Sequence, residues 1–296
     1  WSEHDVGAAA VAWKQRPIDA EPQPTPMQLA PQPSLRLRVA PPLPFHPSTS
    51  LGVTRHDVTT HGPHGRPLHT KDDEVTVGFH DLGTADLTPG AVLPGGDAAD
   101  VGADPIAPAF GVGNQGGIRP KAPTTSTGTG HIVLFSRGDH PDWPDHIDPE
   151  SKLVRYYGDN RSPDRTPHEA KGNARLRDVW AIGFDSRSAR LRTPPIFVVS
   201  SDDLPGRSVC FRGLAVPGHH TVEAWQSLSS GWRGEPSSRF ENYVVHLALL
   251  DTGTVPRSWI DALATKGPAS PDCPPAYRAW LAEGLLEVTA PGSPGC

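Results

Sequence analysis

Thirty glycines and thirty-five prolines in 296 residues leave this chain little room for long regular elements. Proline lacks the N–H that a helix or sheet ladder needs, and glycine loses the most entropy when ordered. More than a fifth of the sequence is therefore suited to turn and loop. The apolar residues between these breakers come in short runs rich in Val, Ile and Phe, which fit a pleated, half-buried surface. The chain reads as mainly β with a few helices.

The breakers are unevenly distributed. Ten prolines lie between Pro17 and Pro47, a density that excludes helix and central strand and leaves polyproline or disorder. Residues 1–74 read as a Pro-rich extension, a solvated linker or strap, with a Pro-rich recognition ligand as the functional alternative. From about Val75 the texture becomes strand-like: Glu74–Phe79, His131–Ser136, Lys152–Tyr157, Pro195–Ser200, Arg207–Phe211 and Arg239–Leu250 are the predicted strands. Leu176, Val179 and Trp180 fall at helical spacing within Asn173–Ile182. Ser258 with Asp261 resembles a capping box for a helix ending near Gly267. No regular repeat is present, so one closed or half-closed barrel over 75–265 is expected. Residues 266–296 read as a linker and short helix, Pro275–Glu283, leading to a further C-terminal part. The first residue, Trp1, suggests a fragment.

Charge gives a mixed signal. The formal net charge of −6 argues against a nucleic-acid partner, because phosphate binding usually leaves a basic footprint. Residues 151–212, however, hold twelve Lys or Arg against seven Asp or Glu. Cys210, Cys273 and Cys296 form neither a disulfide framework nor a metal-binding spacing. No apolar run approaches the roughly 20 residues needed to cross a bilayer, and no leader sequence is visible, so a cytoplasmic protein without membrane contact is expected.

Six segments in order carry a more specific signal: Gly90–Gly96 (GAVLPGG), Gly111–Pro120 (GVGNQGGIRP), Trp143–Asp148 (WPDHID), Val154–Pro163 (VRYYGDNRSP), Lys171–Asp178 (KGNARLRD) and Arg239–Asp251 (RFENYVVHLALLD). This pattern resembles the SRA-like N-terminal recognition domain of MspJI- and AspBHI-type modification-dependent restriction endonucleases. The resemblance spans about residues 79–265. It implies an SRA or PUA-like half-closed β-barrel that holds duplex DNA and swings a 5-methylcytosine, or a derivative of it, out of the stack. It implies no cofactor, and any oligomerisation would come through the parent enzyme, whose nuclease domain is expected downstream.

A flipped-base reader needs aromatic faces to replace lost stacking and polar groups for the Watson–Crick edge. Unstacking costs a few kcal/mol and each base–aromatic stack returns roughly 1–3 kcal/mol, so two faces offset it. By the resemblance, Trp143 and Tyr156 sandwich the base and Asp145 accepts a hydrogen bond from the cytosine N4 amine. The competing reading makes Trp143 a core anchor and Asp145 a turn cap, with Asp148 as the alternative acid. Tyr156 and Tyr157 alternate across their strand, so only one can face a pocket. In the Gly-rich loop, Asn114 and Gln115 are candidates to fill the gap left by an extruded base, or the loop merely connects strands. Arg119, Arg161, Arg165, Lys171, Arg175 and Arg177 are candidate phosphate contacts; a solvated basic surface is the alternative. Asn160 and Asn173 are expected to fix turn backbone, and Asn242 and Tyr243 to be structural.

Two competing functions are weaker. Asp164, Glu169 and Lys171 mimic a metal-dependent nuclease motif, but their separation is too short for acids on adjacent strands. The histidines at 56, 61, 64 and 69, and the pair His219–His220, lack metal-site spacing and cysteine partners. No catalytic or metal-binding residue is therefore assigned. A PUA-like RNA or adaptor module without base flipping is the remaining alternative.

Overall fold

The computed structural model describes residues 75–97, 101–138, 144–183, 186–201 and 204–284. Nine strands form one open, mainly antiparallel sheet. They are β1 (Val92–Leu93), β2 (Ile118–Lys121), β3 (His131–Ser136), β4 (His146–Asp148), β5 (Leu153–Tyr157), β6 (Ile196–Ser200), β7 (Val209–Pro217), β8 (Leu228–Arg233) and β9 (Phe240–Leu249). The order is β2-β3-β6-β7-β9-β5-β4, with β1 on β7 and β8 on β9. Among the described strands, β3 and β6 are the pair that run parallel. Among the described residues the α-helices are α1 (Ile106–Phe110), α2 (Lys171–Gly183), α3 (Arg187–Arg190), α4 (Arg257–Lys266) and α5 (Pro275–Glu283). The fold is mainly β with a few helices, as the sequence implied.

The central strands are apolar without interruption because both sheet faces are covered. On β3, Val133 enters one core while Ile132 and Leu134 enter the other; on β6, Phe197 and Val199 oppose Ile196 and Val198. Helices α1, α4 and α5 cover the first face with Phe110, Trp259, Tyr277 and Trp280. Helix α2 covers the second with Leu176, Val179 and Trp180, the residues whose spacing marked it as a helix.

Several expectations need correction. Residues 75–79 supply only an isolated bridge from Thr76 to Val92, and the chain then enters a 3-10 turn at Phe79–Asp81. Ser258 does not cap α4. That helix starts one residue earlier, behind Pro256, and its first amide, on Arg257, donates to Asp86 Oδ1 at 2.7 Å. A residue 171 positions away thus supplies the cap that the local pattern seemed to contain. Helix α5 lies at its expected position and packs onto the sheet. Tyr277, Trp280 and Leu281 share a core with Trp259.

Candidate nucleic-acid interface

The hairpin β4–β5 pairs His146–Asp148 with Leu153–Arg155. Its turn is closed by Asp148, whose carboxylate accepts from the Glu150 amide at 2.9 Å and the Ser151 hydroxyl at 2.6 Å. Those two donors, the hydroxyl first, hold the Asp148 carboxyl below its ordinary range. Asp148, the alternative base-reading acid, closes its own turn in this structure.

Asp145, just before β4, sits differently. Its Oδ1 accepts the Tyr157 amide at 2.8 Å, and the Ser136 hydroxyl supplies a further hydrogen bond. Burial nonetheless raises its carboxyl to about 6, more than the Tyr157 amide, Ser136 and Arg155 lower it. Asp145 lines a cavity of about 340 Å³ together with Ser136, Gly138, Ile147 and Arg212. That volume lies at the small end of ligand pockets.

Arg212 reaches this cavity through a β-bulge. The β6–β7 register slips between Val198, opposite Gly213, and Val199, opposite Phe211, which puts Arg212 at the bulge. Gly213 carries the bulge at φ 123°, a conformation that disfavours any side chain. Arg212 Nε donates to Ser200 Oγ at 2.7 Å, and burial pulls the guanidinium below its ordinary pKa. Sequence reasoning assigned Arg212 no role. An arginine ahead of a glycine inside a strand was the only available signal.

Tyr156 adjoins the same acid, and the Asp145 charge, after burial, is the next contributor raising its phenol. Its ring, however, is only 4% exposed, among residues of the α2-side core. The hydroxyl donates to the Phe135 carbonyl at 3.3 Å. Gly117 passes over it so closely that a Cβ there would come within 2.5 Å. In this structure the Tyr156 ring lies in the core and its hydroxyl lies under Gly117 of the Gly-rich loop. Tyr157 is also buried, with Arg233 at 4.5 Å from its ring centre and Arg155 at 6.0 Å. Trp143 lies outside the described residues.

In the loop itself Gln115 is exposed and Asn114 half-buried. Arg119, a candidate phosphate contact, is 4% exposed, pairs with Asp104 at 2.8 Å and donates to the Gly116 and Gly113 carbonyls. In this structure it holds the Gln115 loop in shape.

The remaining basic candidates are carried by a rigid joint. Asp159 accepts the amides of Gly172 and Asn173, each at 2.9 Å, and so caps α2. Asn173 Nδ2 and the Asn160 amide both donate to Asn242 Oδ1, and Asn242 Nδ2 donates to the Gly158 carbonyl. Gly158 is required here, since a Cβ would lie 1.8 Å from Asn173 Oδ1. The asparagines do fix the backbone, as their positions suggested. On this frame Arg161, Arg165, Lys171, Arg175 and Arg177 are all exposed, Arg177 being paired with Asp178 at 3.1 Å. Glu169 closes a capping box with Thr166. Among the described residues no three His, Cys, Asp or Glu side chains converge as metal ligands, and no helix is long and apolar enough to cross a membrane.

Residues 87–290 match the family described as restriction endonuclease AspBHI, N-terminal. The chain belongs to this family. It is 31% identical to the DNA recognition domain of the cytosine modification-dependent restriction endonuclease LpnPI, with a TM-score of 0.64 over 76% of this chain and 99% of that one. It is 35% identical to the DNA modification-dependent restriction endonuclease AspBHI, with a TM-score of 0.62 over 71% and 96% of the two chains. A structure of MspJI with a 27-mer oligonucleotide shares the fold at 21% identity and a TM-score of 0.51, over 66% of this chain and 51% of that one. Among curated proteins there is no match. The domain is thus homologous to DNA recognition domains of modification-dependent restriction endonucleases, and its fold is SRA-like.

Proposed function

We propose that this domain binds duplex DNA containing a modified cytosine, 5-methylcytosine or a derivative, and reads the base after flipping it from the stack. The observation that carries this is Asp145, a carboxylate facing a small cavity and held by the Tyr157 amide and Ser136, in a chain homologous to cytosine-modification readers. A cytosine edge offers the N4 amine as donor and N3 and O2 as acceptors. Asp145 is the acceptor for N4, and Arg212, on the same cavity, supplies donors for N3 and O2 further along that edge. Tyr156 and Trp143 are the stacking faces in this reading, Tyr156 from a ring that is buried in this structure. Gln115, exposed on the same loop, is placed in this reading at the gap left by the base. Arg161, Arg165, Lys171 and Arg175 are the phosphate contacts.

The test is Asp145→Ala on matched modified and unmodified duplexes. The expected result is a loss of about 1–3 kcal/mol on the modified duplex, the worth of a good base contact. Binding to the unmodified duplex, held by phosphates, should stay within error. Equal weakening of both duplexes, or of neither, places the pocket elsewhere.

A further inference from the structure

Strand β8 and the turn ahead of it carry exposed aromatic surface that the cytosine pocket does not use. Trp232 is 57% exposed and Trp225 is 75% exposed. Tryptophan is highly buried on average, so indoles left in water on one hairpin mark a contact surface more often than isolated exposed apolar residues do. The Arg239 guanidinium lies 5.7 Å from the centre of the Trp232 ring.

Strand register ties this hairpin to the proposed duplex contacts from both sides. Trp232 pairs with Glu241 of β9, and the Glu241 carbonyl accepts from Asn160 Nδ2 at 2.8 Å. Asn160 immediately precedes Arg161, so the loop of exposed arginines is fastened opposite Trp232. The next residue, Arg233, donates to the Tyr157 hydroxyl at 2.9 Å, and the Tyr157 amide holds Asp145. The acid paired with Trp232 across the strands is Glu241, whose carboxylate accepts from the Ser230 hydroxyl of the same hairpin. Glu235 stands exposed in the connecting loop. Against these two acids stand Arg239 and Arg233 on the hairpin, and Arg155, Arg161 and Arg165 beside it.

We propose that the β8–β9 hairpin is a second contact on the same duplex, outside the cytosine pocket. Trp232 packs on the sugar–phosphate backbone and Arg239, stacked over it, pairs with a phosphate. The proposal rests on reading this domain as a duplex binder, but not on what is read in the pocket. A backbone contact positions the duplex without carrying sequence information. It therefore strengthens binding to modified and unmodified DNA alike, unlike Asp145.

The experiment measures binding of fluorescein-labelled modified and unmodified duplexes to the wild-type chain and to Trp232→Ala, Trp232→Phe, Arg239→Ala and Asp145→Ala. Trp232→Ala should weaken both duplexes equally, by about tenfold, and Trp232→Phe by clearly less. Arg239→Ala should lower the slope of log affinity against log salt by about one. Wild-type affinity on both duplexes after Trp232→Ala and Arg239→Ala overturns the proposal. So does unchanged DNA binding with loss of a dimer in sedimentation, which would make a second copy the occupant. A wild-type chain that binds duplex without preferring modified cytosine sinks the pocket reading alone, and the hairpin is then judged by the Trp232 and Arg239 variants. A wild-type chain that binds no duplex overturns both.

Discussion

At the scale of single residues, Asp145 is held under strain of a chemical kind. Its carboxyl is buried, its pKa is raised to about 6, and two donors only partly offset the desolvation. A carboxyl raised in the folded state lends stability that is complete below its unfolded pKa, near 4, and is lost as pH rises through 6. At pH 8 the buried charge therefore costs up to about 3 kcal/mol. Asp145→Asn keeps an oxygen for the Tyr157 amide and removes the charge. We expect it to be more stable than wild type at pH 8 and equal to it near pH 4, as read by urea unfolding. A gain of the same size at both pH values would contradict this account. The same titration predicts that preference for modified over unmodified duplex shrinks as pH falls from 8 to 5, because a protonated Asp145 is a poorer acceptor for N4.

At the scale of elements, the joint between β5 and α2 decides where the basic side chains stand. Asn242 bonds the Asn160 amide, the Asn173 side chain and the Gly158 carbonyl, while Asn173 Nδ2 also donates to the Pro167 carbonyl. Asn242→Leu orphans the Asn160 amide and the Gly158 carbonyl in a buried setting, at roughly 1–3 kcal/mol for each group that finds no water. Asp159→Ala removes only a helix cap, worth about 1 kcal/mol. Chemical denaturation should thus rank Asn242→Leu well below Asp159→Ala; the reverse order would show that the network is not what holds the joint. This joint was partly legible, since Asn beside Gly in a strand–helix connection signals turn chemistry. What no local pattern could show is that Asn242, eighty residues on, closes it. Strand β8 escaped notice for a similar reason: Leu228–Arg233 has little apolar alternation and is a strand because β9 pairs with it.

At the scale of the molecule, a net charge of −6 coexists with one basic surface. Arg161, Arg165, Lys171 and Arg175 are exposed on the loop and helix that the joint fixes. If a duplex lies along them, affinity should fall steeply with salt despite the overall negative charge. Arg161→Ala and Lys171→Ala should each reduce the log–log slope by about one. Arg119→Ala serves as the control: it should leave the slope unchanged and cost about 3–5 kcal/mol of stability, because Asp104 is left buried without its partner. A flat salt dependence would remove the phosphate track from this face.

The sequence by itself determined the class of fold, the long strands β3, β5, β6 and β9, helices α2 and α5, and the family. These depend on periodicity, breakers and ordered motifs, all of which are local. Asp145 was legible as a candidate for the same reason, through its place in a motif. Only the tertiary structure decided which polar residues are available for chemistry. In this structure Arg119 is buried against Asp104 and Asp148 closes its own turn, whereas Arg161 is exposed and Asp145 lines the cavity. Arg212 enters the cavity because a bulge shifts β7 against β6, and the cover over the Tyr156 hydroxyl comes from a loop some forty residues earlier. Whether a charged side chain serves the fold or a ligand depends on which distant segments pack around it, and short-range patterns do not carry that information.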